Sequence, residues 1–213
     1  MLKNLIRYLT LGLGWLALMN PVWSQTPATL LILGDSLSTA FGLADPQQGW
    51  VYLLEQRAAP ELRVINASIS GETTQGGLQR LPRLLAEYEP QYVLIALGGN
   101  DGLQGHPVAD IRARLQQMIE LTVQAHAEPI LAGIRLPPNY GPRYTEPFFA
   151  IFTELAHANA LPHFIPFMLA ALEQQPDFSA WMQADGIHPT AAAQPLMLET
   201  IWSGLPQSIQ RLD

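Results

Sequence analysis

The sequence predicts an α/β protein, a three-layer α/β/α sandwich around a five-stranded parallel sheet, and three observations predict it. Five short apolar runs are continuous rather than alternating, as in strands buried on both faces. Longer amphipathic stretches separate them, so strands and helices alternate along the chain. No internal repeat, low-complexity tract or long linker interrupts that alternation.

In chain order, the predicted strands are residues 29–33 (TLLIL), 62–66 (LRVIN), 92–97 (YVLIAL), 129–134 (PILAGI) and 163–167 (HFIPF). The predicted helices are 47–58, 74–87, 108–127, 145–159 and 190–203. Proline lacks an amide hydrogen and clashes with the preceding turn, so Pro82 is expected to kink or shorten the second helix. The expected strand order is 2-1-3-4-5, a flavodoxin-like topology. Such sheets bind ligands beyond the carboxyl ends of their strands, at the point where the order reverses. The residues just after each strand are therefore the informative ones.

The first 24 residues stand apart. Lys3 and Arg7 are their only charges, residues 8–19 (YLTLGLGWLALM) are almost wholly apolar, and Val22 and Ser24 suit a cut after Ser24. This is the pattern of a cleavable signal peptide, and a dozen apolar residues fall short of the roughly 20 that span a bilayer. The expected organisation is a signal peptide at 1–24 and one domain at 25–213, periplasmic or secreted, with no stable membrane span after cleavage. Losing two basic and no acidic residues takes the net charge from −7 to −9. That balance excludes a nucleic-acid partner, whose phosphates demand Lys and Arg. The chain has no cysteine, which excludes disulfides, thiol nucleophiles and thiolate metal sites. His106, His126, His157 and His163 form no pair with ligand spacing. No metal and no cofactor are expected, and with no heptad pattern the expected state is a monomer.

Four polar blocks carry candidate chemistry. Gly34-Asp35-Ser36-Leu37-Ser38 follows the first strand. A serine on a strand-to-helix turn is exposed, and the following helix N-terminus favours negative charge there. Gly71, after the second strand, offers an unobstructed N–H suited to an oxyanion. Asn100, in Gly98-Gly99-Asn100-Asp101 after the third strand, offers a side-chain amide donor. Asp185 and His188, three apart in a turn, can set a carboxylate against Nδ1 and leave Nε2 to take a proton from Ser36. Each block alone also reads as ordinary turn or capping chemistry. Together they supply a nucleophile, a base with its orienting acid, and donors for developing charge. Asp35 and Asp101 read as turn or network residues.

The four blocks resemble, in order, those of the SGNH (GDSL) hydrolases. VINASISGETTQGGLQRLP, LGGNDGLQG, IRLPPNYGPRY and WMQADGIHPTAAAQP resemble a periplasmic bacterial branch with acyl-CoA thioesterase, lysophospholipase and arylesterase activity. The resemblance implies the SGNH hydrolase fold, Ser36, Asp185 and His188 as catalytic residues, and an oxyanion hole of Ser36 N–H, Gly71 N–H and the Asn100 side chain. It implies an acyl ester or thioester as the small-molecule substrate. Leu103, Leu136, Pro137 and Tyr140, on the loops after strands three and four, are the expected walls of an acyl groove, one stiffened by proline and one made mobile by Gly102 and Gly105. A carbohydrate acetyl-esterase and a non-catalytic binding module are the alternatives.

Overall fold

The computed structural model describes residues 27–211. The expected signal peptide lies outside the described residues. The strands β1 (Ala28–Gly34), β2 (Leu62–Asn66), β3 (Tyr92–Ala96), β4 (Glu128–Ala132) and β5 (His163–Ile165) form one sheet in the order β2-β1-β3-β4-β5. Every neighbouring pair is parallel. Leu30, Leu31, Ile32 and Leu33 are all fully buried. Successive strand residues point to opposite faces, so both faces of β1 are covered, as its continuous apolar run requires.

The cover comes as two groups of helices. α1 (Trp50–Ala58) packs on α7 (Gln194–Gly204). α2 (Thr74–Tyr88), α4 (Val108–Gln124) and α5 (Pro142–Ala158) pack side by side, with the short α3 (Gly99–Leu103) between β3 and α4. Two four-residue helices, α6 (Ala170–Glu173) and α8 (Gln207–Gln210), complete the set.

The element boundaries differ from expectation where single residues override the apolar pattern. α2 runs unbroken through Pro82 to Tyr88. Pro82 is exposed, on the side where water can hydrate the carbonyl it leaves unbonded. β4 stops before Gly133, where the chain passes so close to the Pro166 carbonyl that a Cβ would collide with it. β5 stops before Pro166, which has no N–H to give to a ladder. α4 ends short of residue 127 because His126 turns left-handed, at φ 61°. The last predicted helix splits into a 3-10 turn, Ala191–Ala193, and α7.

β1 pairs with β2 on one side and β3 on the other, so the chain reverses its direction across the sheet at β1. Gly34 and Ala96 are register partners at the carboxyl ends of β1 and β3. The Asp35-Ser36 and Gly99-Asn100 segments therefore leave the sheet side by side.

Candidate active site

Ser36 sits on a tight turn held from several sides. A Cβ on Gly34 would lie 2.7 Å from Ser38 Oγ and 2.9 Å from Ser68 Oγ, so only glycine fits beneath the turn. The Trp50 indole donates to the Leu37 carbonyl at 2.9 Å, and the Asn66 amide donates to the Ser38 carbonyl at 2.8 Å. The expected strand-to-helix junction is absent. Turns run from Ser36 to Gly42, Ala40 and Gly42 have positive φ, and α1 begins only at Trp50. No helix starts directly after Ser36, and local turn bonds do the positioning instead.

The 185–188 turn brings a carboxylate and an imidazole together. Asp185 Oδ1 accepts from the Ile187 and His188 N–H groups at 2.9 and 3.0 Å, which frees Oδ2 to meet His188 Nδ1 at 2.6 Å. Gly186 takes the left-handed conformation the turn needs, φ 67°. On the far side of the ring, His188 Nε2 lies 2.7 Å from Ser36 Oγ. Partial burial pulls the Asp185 carboxyl upward, but the His188 and Ile187 N–H groups and the His188 ring outweigh it and hold the pKa at about 2. Asp185 is therefore an anion throughout the working pH range. Phe41, in the turn after Ser36, covers the imidazole with its ring centroid 4.5 Å away. Gln183 ties that turn to the histidine segment by donating to the Phe41 and Pro189 carbonyls.

The three expected donors differ in state. Among the described residues, the N–H groups of Ser36 and Gly71 meet no protein acceptor. Gly71 is left-handed at φ 79°, with nothing within 4 Å of where a Cβ would stand. Asn100, in the first turn of α3, instead has both amide hydrogens engaged, one on Asp35 Oδ2 at 3.1 Å and one on the Glu72 carbonyl at 2.9 Å. Asp101, fully buried, accepts from Thr74 N and Oγ1 at 2.7 and 2.6 Å and so anchors the start of α2 to α3. His106 rests against Asp101, with Nδ1 3.5 Å from Oδ1, and is not part of the cleft.

A largely apolar cleft opens at Ser36, Asn100 and His188. Leu103, Leu136 and Pro137 line it, and Tyr140 does not. The Tyr140 ring is exposed, and its hydroxyl donates to the Leu103 carbonyl at 3.0 Å. The Tyr144 hydroxyl donates to the His106 carbonyl at 2.6 Å. The segment expected to be mobile is thus tied at two carbonyls, once to the loop expected to be stiff and once to the first turn of α5. Ile134, Met168, Leu169 and Ile187 also line the cleft, and sequence reasoning missed them. Met168 and Leu169 follow β5, so the rule that sites form beyond strand ends pointed to them.

Residues 32–195 match the model of the GDSL-like lipase/acylhydrolase family. The chain belongs to that family. Membership makes it an ester hydrolase, on the fold just described. It is 48% identical to Esterase TesA of Pseudomonas aeruginosa over 195 residues, 90% of this chain and 94% of that one. It is 45% identical to Thioesterase 1/protease 1/lysophospholipase L1 of Escherichia coli K12 over 171 residues, 80% of each chain. A crystal structure of TesA superposes with a TM-score of 0.77 at 48% identity, covering 84% of this chain and 98% of that one. Among the described residues of this GDSL-like chain, no helix is long and apolar enough to cross a membrane.

Proposed function

We propose that the chain is a serine esterase and thioesterase that hydrolyses fatty acyl esters and thioesters through an acyl-enzyme on Ser36. The observation that carries this is the continuous file from Asp185 Oδ2 through the His188 ring to Ser36 Oγ, with gaps of 2.6 and 2.7 Å. Asp185 selects the tautomer with the proton on Nδ1 and leaves Nε2 as the base. Ser36 Oγ attacks the substrate carbonyl while its proton passes to Nε2. The carbonyl oxygen becomes an oxyanion that accepts from Ser36 N–H, Gly71 N–H and the Asn100 amide. Collapse expels the alcohol or thiol, which takes the proton from Nε2. Water, activated by the same imidazole, then releases the acid.

The acyl chain fits the apolar wall of Leu103, Leu136, Pro137, Met168 and Leu169. Each buried methylene contributes about 0.8 kcal/mol, or about a fourfold gain. Across p-nitrophenyl esters of increasing length, kcat/KM should rise and then level off where the cleft ends. Hydrolysis confined to acetyl esters contradicts the proposal. The pattern of residues 1–24 supports export to the periplasm with cleavage after Ser24. The recovered protein should then begin at Gln25, and recovery of Met1 on a membrane-bound form contradicts it.

A further inference from the structure

Asp35 is a carboxylate in a place where carboxylates are costly. It is 3% exposed, and no lysine or arginine among the described residues pairs with it. Burial, opposed by the Leu37 N–H and by His188, pushes its pKa up to about 6. Its two oxygens are nevertheless used with care. Oδ1 accepts from Leu37 N–H at 3.1 Å, and Oδ2 accepts from Asn100 Nδ2 at 3.1 Å. The slot for Oδ2 is kept open by Gly99, where a Cβ would approach to 3.3 Å. Groups with strongly shifted pKa values cluster at functional sites, and this one adjoins the nucleophile and bonds to Asn100.

We propose that Asp35 is a positioning residue that acts through Asn100, fixing the orientation of its amide so that NH2, and not the carbonyl oxygen, serves the oxyanion. The proposal rests on the reading of Asn100 as an oxyanion donor. An asparagine amide has two faces of nearly the same shape, and only hydrogen bonding decides between them. Here both neighbours of Nδ2 can only accept, the Asp35 carboxylate and the Glu72 carbonyl. Flipping the amide would turn its oxygen against two acceptors and lose two hydrogen bonds. A carboxylate is the one side chain of this size that offers acceptors to both Leu37 N–H and Asn100 and no competing donor. In the transition state one amide hydrogen is shared with the oxyanion while the other holds the orientation. The imidazolium forming on His188 at that moment also attracts the Asp35 carboxylate.

The test is a double-mutant cycle in the purified protein, with Asp35→Asn, Asn100→Ala and the pair, read as kcat and KM on p-nitrophenyl butyrate. Asp35→Asn preserves shape but presents an NH2 to Asn100, which flips to meet it. We expect kcat to fall by about 10- to 100-fold with KM changed less than about threefold. The double variant should be no slower than Asn100→Ala alone, because the damage is already done. Losses that multiply overturn the proposal, since they place the action of Asp35 elsewhere, as in its bond to Leu37. An unchanged kcat in Asp35→Asn overturns it as well. A near-normal kcat in Asn100→Ala overturns the oxyanion reading itself, and with it the proposal. Asp35→Ala, which cannot overfill the slot, repeats the cycle should the asparagine variant fold poorly, and it must show the same absence of multiplication.

Discussion

At the scale of the residue, the site depends on which partner each polar atom has. Among the described residues, nothing accepts from the Ser36 and Gly71 N–H groups, whereas both Asn100 amide hydrogens are engaged. The two aspartates differ for the same reason. Asp185 is surrounded by donors and held at about 2, while Asp35 is buried and raised to about 6. That rise fixes the sign of a stability effect. The folded-state pKa of Asp35 lies above its ordinary 3.8, so above pH 6 both folded and unfolded chains hold it ionised and the fold carries the cost of the buried charge. Between pH 6 and 4 the folded chain takes up the proton first, and the cost is relieved. A difference of about two units corresponds to about 3 kcal/mol. The charged groups that face Asp35 are His188 and Asp101, and both are present in wild type and variant alike. Denaturant melts of wild type and Asp35→Asn should therefore shift in favour of wild type as pH falls from 7 to 4. Parallel curves across that range contradict the buried-anion assignment.

At the scale of the element, the segments after β3 and β4 are tied by Tyr140, and Tyr144 adds a tie from α5. Tyr140 lies on a 3-10 turn, Pro138–Tyr140, and its hydroxyl reaches the Leu103 carbonyl. Tyr140→Phe removes that bond and leaves the ring, a loss of about 1 kcal/mol for an exposed hydroxyl. Activity on long acyl esters should fall by a few fold while acetyl ester hydrolysis stays within twofold, because only the distal wall loosens. Equal losses on both would show that Tyr140 acts on the chemistry itself. This part of the site was only half legible in the sequence. Leu103, Leu136 and Pro137 were found because they follow strands, but the direction of Tyr140 depends on a short turn that no periodicity reports. The helix expected at 47–58 is there, as α1, but its N-terminus does not reach Ser36. Trp50 and Asn66, distant in sequence, bond to the carbonyls of Leu37 and Ser38 and hold a turn there instead, which no local pattern reports.

At the scale of the whole molecule, the strand order was legible because continuous apolar runs between amphipathic helices leave few arrangements. A sheet that reverses at β1 gathers residues 36 and 100 beyond adjacent strand ends. The turn at 185–188 then adds the base from near the end of the chain. Its spacing was readable because Asp and His three apart with a glycine between them can close only a small turn. Of the further lining residues, Met168 follows β5 and so lay where the strand-end rule points, whereas Ile134 was expected inside the fourth strand and reaches the cleft because β4 ends at Ala132. The file from Asp185 to Ser36 is the claim on which the account stands. Its most direct test is labelling with a fluorophosphonate, followed by peptide mass mapping, with hydrolysis measured in parallel for wild type and Ser36→Ala. The account predicts one adduct on Ser36 in the wild type, none in the variant, and a kcat lowered on the order of a millionfold. An adduct on another serine, with activity surviving in Ser36→Ala, would contradict it.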